Sequence, residues 1–479
     1  MISVLNLEEH RLELPTFSAP PVYSINRLLE FIFLKKNKAK PRYVFDLFAG
    51  CGGLSTGLEI AGFSPALVCE LDKDAIGSYL LNRHSKLGDR VFSDVSELHF
   101  NDINELTGKT VSKVKDVLTD LDVGLDFNQE NGANLDLVCG GPPCQGYSGI
   151  GHRRSYSVEK KDLPSNQLYA KMAAFIENVR PKIFMFENVK GILSGRWTSE
   201  GRKGEIWEDV RARFRQIEGY QVRWALVHAK HYGVPQNRPR VLLVGIREDV
   251  ILQAGLDIEA DVECAIKCGF LPKPSGVAPH PIDLLSDLID PSVTSSLLTQ
   301  NFPKDFATSH YAEEPKTEIQ KVLRTLPNGE VLGQGAILTE QEYSKHSPHI
   351  VTKFKHMLEN EGEIPESLKT KKFAQRVVPK YWGDNGPSIT ATSLADDYVH
   401  FSQPRTFTVR EWARLQMFPD WYQFAGKRTT GGIRRAGNPR AGIFDRETPK
   451  YTQIGNAVPV GLASKVGTHL MGILNLAES

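Results

Sequence analysis

One cysteine stands in a loop that could present it as a nucleophile. Cys144 follows the apolar run 135–139 within Gly-Gly-Pro-Pro-Cys-Gln-Gly-Tyr-Ser. The two prolines fix φ and remove backbone donors, so they hold the thiol rigidly. Basic residues between 152 and 161 would favour its thiolate form. A cysteine beside apolar residues is more often an inert core residue, and we keep that interpretation for Cys69 and Cys139. For Cys144 the loop favours a nucleophile.

An acid and two arginines border further apolar runs. Glu187 follows the run 183–186, and Arg238 and Arg240 flank a proline just before the run 241–244. A surface or capping carboxylate is the simpler interpretation of Glu187 alone, and salt-bridge partners are an equal alternative for the arginines. Arginine also binds phosphate and base oxygens. The chemistry they offer is protonation of a bound ring and recognition of its oxygens.

A glycine-rich turn precedes these residues. Asp46-Leu-Phe-Ala-Gly-Cys-Gly-Gly-Leu leads into a segment with helical pattern, and its glycines allow a backbone to approach a ligand at a helix N-terminus. A dinucleotide fingerprint counted from Gly50 requires glycine where Ser55 stands, so the NAD interpretation fails on spacing. Glu70 lies about twenty residues on, where an acid binds ribose hydroxyls. The sequence predicts a nucleotide-like or adenosyl cofactor.

The elements that position these residues form a repeating pattern. Five short apolar runs each end at a polar residue or loop: 43–45 at Asp46, 66–69 at Glu70, 91–92 at Asp94, 135–139 at the loop 140–144, and 183–186 at Glu187. Runs of this length between helical segments are typical of buried parallel strands. Ligands bind outside the carboxyl ends of such strands. We therefore predict an α/β, Rossmann-like doubly wound sheet with one active-site rim.

Together these blocks resemble the DNA (cytosine-5) methyltransferases. The glycine loop, the Pro-Cys-Gln loop, Glu187-Asn-Val and Gln236-x-Arg-x-Arg occur in the family's order. Thr408-Val-Arg-Glu-Trp-Ala-Arg-Leu-Gln-Met-Phe-Pro-Asp and Tyr451-Thr-Gln-Ile-Gly-Asn-Ala-Val-Pro resemble its last two blocks. The resemblance runs from about 42 to 470, with gaps at 101–134 and roughly 250–385.

The resemblance implies a role for each matching residue. Cys144 would attack C6 of a flipped cytosine, Glu187 would hydrogen-bond N3, and Arg240 would contact O2, with Arg238 in the same catalytic group. Gln145 and Ser148 would contact DNA. Glu70 would hold the ribose and Asp94 the adenine of S-adenosylmethionine. The full set implied for that cofactor is Phe48, Gly50, Gly52, Glu70, Asp94, Leu168, Asn456 and Val458.

The resemblance also implies two domains. Residues 1–250 and 451–479 would form the catalytic domain, closed by a C-terminal helix from about Val458, and 251–450 would form a smaller target-recognition domain. The segment 427–450 is rich in Lys, Arg and Gly, although the formal net charge is only +1. A solvated surface loop is the plain interpretation. The more specific interpretation is a loop that binds DNA phosphates through Arg434 and Arg435.

Composition is that of a globular protein, with 41% hydrophobic and 24% charged residues. Six cysteines in a chain of this length do not indicate a disulfide framework. We expect a soluble monomer of the bacterial cytosol with no membrane segment and no metal. The expected partner is double-stranded DNA. A cognate restriction endonuclease would act on the same site without being bound.

Three other functions remain as alternatives. A tRNA cytosine-5 methyltransferase would share the catalytic blocks, but it resembles a compact form without a long recognition domain. An NAD enzyme fails on glycine spacing. A catalytically dead DNA-binding relative would be expected to lose Cys144 or Glu187, and the chain carries both.

Overall fold

The structure is a computed structural model. It describes residues 41–125, 134–143, 167–198, 200–256, 262–295, 297–299, 306–369, 375–381, 397–429 and 447–479. Cys144, Gln145, Ser148, Arg434 and Arg435 therefore lie outside the described residues.

The described part of the chain contains eleven strands. They are β1 (Arg42–Leu47), β2 (Phe63–Cys69), β3 (Lys86–Leu87), β4 (Arg90–Val91), β5 (His99–Phe100), β6 (Leu137–Gly140), β7 (Ile183–Val189), β8 (Tyr220–His228), β9 (Pro239–Arg247), β10 (Arg376–Val377) and β11 (Tyr398–Val399). Seven of them form one sheet in the order β5-β2-β1-β6-β7-β9-β8. From β5 to β7 all neighbours are parallel, and β9 runs antiparallel to both β7 and β8. The predicted α/β, parallel-rich sheet is confirmed.

Twelve α-helices accompany the strands in the described ranges. They are α1 (Gly53–Ile60), α2 (Lys73–Leu81), α3 (Gly108–Asp120), α4 (Leu168–Val179), α5 (Glu205–Arg215), α6 (Glu248–Gln253), α7 (Pro281–Leu285), α8 (Glu318–Arg324), α9 (Pro348–Glu359), α10 (Val409–Arg414), α11 (Lys450–Asn456) and α12 (Val460–Ala477). Apolar residues of β1, β6, β7 and β9 alternate between two large buried clusters, one on each face of the sheet. This is the layered packing that strands buried on both faces require.

The structure corrects the predicted strand pattern between residues 43 and 94 at two points. Residues 91–92 do not form a strand of the central sheet: Arg90–Val91 pairs with Lys86–Leu87 in a separate antiparallel pair, and the sheet strand in this region is β5. Asp46 does not follow β1 but lies inside it, fully buried. An apolar run of two or three residues fixes neither the length of a strand nor the place where it ends.

The residues that follow the sheet pack back against it. Trp224 of β8 exchanges backbone hydrogen bonds with the segment 263–265, and Ala265, Phe270 and Leu271 belong to the same buried cluster as β9. The division into domains at residue 250 stays a prediction. A third cluster joins residues 284–338 and 398–424 to α11.

The run Lys450–Ala477 has the length and hydropathy of a helix that could cross a membrane, but 56% of its most apolar window is buried inside the protein. Such burial is typical of a core helix. α12 lies against α1, and both helices carry glycine where they meet. A Cβ on Gly57 would collide with Ala463 and come within 2.6 Å of the Ser464 nitrogen, and one on Gly467 would reach within 2.9 Å of Ala61 and Leu58. Glycine at these positions lets the two backbones approach.

The close approach of the two helices gives a stability prediction. Gly57→Ala should lower the free energy of unfolding by about 1–3 kcal/mol, the usual cost of overpacking, although alanine favours helices. Denaturant titration measures the change. Gly472→Ala is the matched control because a Cβ there meets nothing within 4 Å, so it should be neutral or stabilise by up to about 1 kcal/mol. Equal effects of the two substitutions would contradict this account of the packing.

Candidate active site

The turn after β1 has the backbone conformation that its glycines allow. Gly50 and Gly52 have φ of 56° and 84°, and Phe48 has φ of 57°, in the left-handed region that non-glycine residues seldom adopt. Gly52 is the N-cap of α1, so the amides of this helix start at the turn. A Cβ on Gly50 would meet no atom of the described residues within 4 Å, so this part of the protein leaves open space in front of the loop.

Glu70 is fixed against this turn at the carboxyl end of β2. Its Oε2 accepts from the Gly50 amide at 2.7 Å and its Oε1 from the Asp72 amide at 2.8 Å. Burial raises the pKa of Glu70, and these backbone donors oppose the rise. Because each carboxylate oxygen has two lone pairs, both oxygens can accept one further hydrogen bond. The acid is therefore held in place and keeps acceptors for a ligand hydroxyl.

Asp94 does not share this edge. It is exposed in the short 3₁₀ turn Phe92–Asp94, ahead of the edge strand β5. The first acid after β5 is Asp102, and β5 itself ends beside Glu70, because Cys69 pairs with Phe100 and the Glu70 amide donates to the Phe100 carbonyl at 2.9 Å. Sequence reasoning missed Asp102 because β5 has only two residues. The available signal was the sequence 101–105, in which Asp102 caps the turn Ile103–Glu105 with a capping box.

Glu187 and Arg240 form an ion pair at the opposite part of the rim. The Arg240 Nε lies 2.5 Å from the Glu187 Oε1, and both side chains are nearly buried. They sit on neighbouring strands in diagonal register, since Arg240 pairs with Val189 and Glu187 with Leu242. Glu187 lies within β7 rather than after it.

The Glu187 carboxylate also contacts the loop that leads to Cys144. A Cβ on Gly141 would come within 2.7 Å of its Oε2, so only glycine allows this approach. The buried Asn188 donates to the Pro142 carbonyl at 3.2 Å. The described residues 141–143 are thereby tied to β7, two to three residues before the predicted nucleophile.

Arg238 binds the end of a distant helix. Its Nη2 donates to the carbonyls of Gly455, Asn456 and Ala457 at 2.8, 3.2 and 2.9 Å. Gln236 assists by donating to Gln416, whose own amide donates to the Ile454 carbonyl. Burial lowers the pKa of Arg238, yet the end of α11 offers it three carbonyl oxygens. This geometry favours a positioning role for Arg238 over the predicted catalytic one.

The turn that Arg238 holds lies against the glycine loop. A Cβ on Gly53 would collide with the Val458 carbonyl, which places Val458 at the start of α1. Asn456 is exposed at the end of α11, and Leu168 is half-buried at the first position of α4. The structure thus brings Gly50, Gly52, Glu70 and Val458 to one side of the rim.

The basic segment is described only at its two ends. Lys427 and Glu447 form an ion pair at 2.6 Å, and Thr448 donates through its amide and hydroxyl to Asp74 and Asp72 of the α2 start. Both ends are therefore fixed close to Glu70, because the Asp72 amide also binds Glu70. The phosphate-tracking role of Arg434 and Arg435 stays a prediction.

Comparison with protein families matches residues 43–472 to the C-5 cytosine-specific DNA methylases. The chain belongs to this family. It is a DNA cytosine-5 methyltransferase with DNA as its substrate. The family match therefore favours the DNA enzyme over the NAD enzyme and the tRNA enzyme.

Relatives of this methylase cover most of its length. Type II methyltransferase M.DdeI of Desulfomicrobium norvegicum is 29% identical over 441 residues, which are 89% of this chain and 88% of the relative. Type II methyltransferase M.Sau96I of Staphylococcus aureus is 26% identical and covers 95% of this chain and 80% of its own. Among solved structures, one named as a DNA modification methyltransferase encoded within a prophage (E. coli) has a TM-score of 0.59 at 21% identity, covering 91% of this chain and 99% of that one. That likeness concerns the fold.

One buried acid of the methylase gives a pH prediction. Burial raises the pKa of Asp46 to about 7, although the Ser55 hydroxyl and the Cys139 thiol donate to it. The folded protein therefore keeps this proton up to about pH 7, whereas the unfolded chain releases it near pH 4. Because the native state binds more protons in this window, the group makes the free energy of unfolding fall as pH rises.

Asp46→Asn should remove this contribution. Relative to the native chain, the variant's free energy of unfolding should rise between about pH 4 and 7, by roughly 1.4 kcal/mol per pH unit at most. Denaturant titrations at several pH values give the difference. A constant difference between the two proteins across this range would contradict the raised pKa.

Proposed function

We propose that this methylase transfers a methyl group from S-adenosylmethionine to C5 of cytosine through a covalent bond between Cys144 and C6. One observation carries the proposal: the Glu187–Arg240 pair contacts the loop that leads to Cys144, on the same rim as the glycine turn and Glu70. A nucleophile, an acid, a cation and a cofactor pocket would then face one reacting ring.

The residue types suit the chemistry of the ring. Cytosine C5 is a poor nucleophile, and addition of the Cys144 thiolate to C6 would raise the electron density at C5. Glu187, once protonated, would hold N3 with its proton and stabilise the adduct, while Arg240 would bind O2. After methylation, a water molecule would take the C5 proton, which would expel the thiolate and restore the C5–C6 double bond, and N3 would return its proton to Glu187.

The cofactor side fits S-adenosylmethionine. Glu70 keeps acceptor positions for two ribose hydroxyls, and open space lies in front of Gly50. Asp102, at the end of β5, has the position we propose for the acid that receives the adenine amine, in place of Asp94. When bound, the cofactor supplies an electrophilic methyl group, which no side chain offers.

The substrate base must leave the duplex. Its ring atoms are unreachable inside a stacked helix, so we propose that the target cytosine is extruded into the space between Glu187 and the loop of Cys144. Several relatives are named type II methyltransferases, which supports a role in a type II restriction–modification system. We propose that the protein acts as a monomer and that a cognate endonuclease cuts the same site.

The covalent step gives the first test. A duplex with 5-fluorocytosine at the target should trap the protein in a complex that survives denaturant, because fluorine cannot leave as a proton does. Gel electrophoresis of the denatured complex detects it. Cys144→Ser should abolish the trap and still bind DNA. A trapped complex in that variant, or none in the native chain, would sink the covalent mechanism.

Glu187→Gln is the companion variant because it keeps the shape and removes the proton source. Turnover should fall by roughly 10²–10⁴-fold, the usual contribution of a positioned acid. Affinity for S-adenosylmethionine should barely change, since Glu187 lies on the base side of the rim. If cofactor binding fell together with turnover, Glu187 would belong to the cofactor site or to the scaffold.

The cofactor acids give the second test. Glu70→Ala and Asp102→Ser should each weaken S-adenosylmethionine binding roughly 10- to 100-fold, since a charge-assisted hydrogen bond contributes about 1.5–3 kcal/mol. Serine retains the N-cap of the turn that follows Asp102. Asp94→Ala is the matched control and should bind normally in calorimetric titration. If Asp94→Ala weakened binding and Asp102→Ser did not, the adenine amine would belong to Asp94. Competition by NAD would overturn the cofactor assignment.

A further inference from the structure

Two glycines of the turn after β1 face different surroundings. A Cβ on Gly50 would meet no atom of the described residues within 4 Å. A Cβ on Gly52 would lie 2.7 Å from the Tyr422 hydroxyl and 2.8 Å from both terminal nitrogens of Arg83. Gly50 therefore lies beside open space, whereas Gly52 lies against two buried side chains. We call Arg83 and Tyr422 the supporting pair.

The supporting pair binds two successive carbonyls of the turn. The Tyr422 hydroxyl donates to the Cys51 carbonyl at 2.5 Å and accepts from the Arg83 Nη1 at 2.7 Å. The Arg83 Nη2 donates to the Gly52 carbonyl at 3.2 Å. The C=O and N–H of a trans peptide point in opposite directions, so a fixed carbonyl also fixes the amide that follows it. The pair thereby orients the amides of Gly52 and Gly53, where α1 begins.

Contacts outside the turn hold the supporting pair in place. Arg83 forms an ion pair with Glu59 at 2.7 Å, and its guanidinium lies over the Tyr79 ring at 3.9 Å. Arg410 donates to the Tyr422 carbonyl at 2.8 Å, which fixes the backbone of that residue. Because both members are fixed by these other contacts, they can hold the glycine turn in one conformation.

We propose that Arg83 and Tyr422 are positioning residues for S-adenosylmethionine, which hold the glycine turn from behind and so set the surface that the cofactor meets. Both side chains are fully buried, so they would act through Cys51 and Gly52 and not by touching the cofactor. Neither belongs to the cofactor-binding set that the resemblance implies. The inference rests on the proposed function, because it needs the cofactor at this turn.

The test removes one hydroxyl of the supporting pair and keeps its ring. Tyr422→Phe should weaken the binding of S-adenosylmethionine roughly 3- to 10-fold in calorimetric titration without DNA, the usual effect of one lost hydrogen bond. In steady-state assays the KM for S-adenosylmethionine should rise by the same factor. The kcat and the KM for DNA should stay near the native values, because the variant changes only the cofactor turn.

Tyr220→Phe is the matched control. The Tyr220 hydroxyl is also buried and also donates to a backbone carbonyl, that of Pro181. These residues lie at the amino ends of β8 and β7, at the edge of the sheet opposite to Glu70. Both variants should lose stability to a similar extent in denaturant titration, but only Tyr422→Phe should lose cofactor affinity. Unchanged affinity in Tyr422→Phe, or an equal loss in both variants, would overturn the proposal.

A double-mutant cycle tests whether the two residues act together. Arg83→Lys keeps a positive charge beside Glu59 but replaces two terminal nitrogens by one, so it should also weaken cofactor binding. Its effect and that of Tyr422→Phe should be less than additive, because both break the same bridge to the turn. Full additivity would contradict a joint role.

Glu70→Ala separates this inference from the proposed function. If Glu70→Ala weakened the binding of S-adenosylmethionine and Tyr422→Phe did not, only the role of the supporting pair would be wrong. If the native chain bound no S-adenosylmethionine, the proposed function would be wrong as well.

Discussion

The site depends on two late segments of the chain returning to the sheet, and a buried arginine holds each of them. Arg83 donates to the Gly52 carbonyl and to Tyr422, and Tyr422 donates to the Cys51 carbonyl. Arg238 binds the carbonyls at the end of α11. A buried guanidinium is costly unless it is hydrogen-bonded, and both arginines take part of their hydrogen bonds from these late segments. The final block of the chain is thereby packed against the glycine turn, since a Cβ on Gly53 would collide with the Val458 carbonyl.

Glycines also allow these segments to pack together, because they have no side chain at the points of contact. Gly53 and Gly57 leave room for the backbone around Val458 and Ala463, and Gly141 leaves room for the Glu187 carboxylate. In each case a side chain would collide with the neighbour, so the absence of Cβ is a condition for contact. The glycine turn, the C-terminal helix and Glu187 are held within one rim by these close approaches.

Strands and site residues could be predicted from the sequence where a long apolar run and a motif coincide. β1, β2, β6 and β7, and with them Glu70 and Glu187, could be placed from the order of residues alone because buried parallel strands carry a strong pattern. Asp102 could not, since a strand of two residues has no periodicity and its pairing with β2 is a tertiary fact. The hydrogen bonds of Arg238 could not be predicted for a similar reason. Its partners lie more than two hundred residues away, and a motif does not tell which way a side chain points.

The part of the chain that resembles nothing locally, 250–385, still has a rigid base. Arg414 binds Asp287 and Asp420, Arg324 binds the same Asp287, and all four side chains are fully buried. Removal of one partner from such a network leaves a buried charge and costs about 3–5 kcal/mol. The network therefore fixes Asp287 and Arg324 to Arg414 of α10, and Tyr422 fixes the segment after α10 to the glycine turn. A surface built on these residues has a defined position relative to the glycine turn.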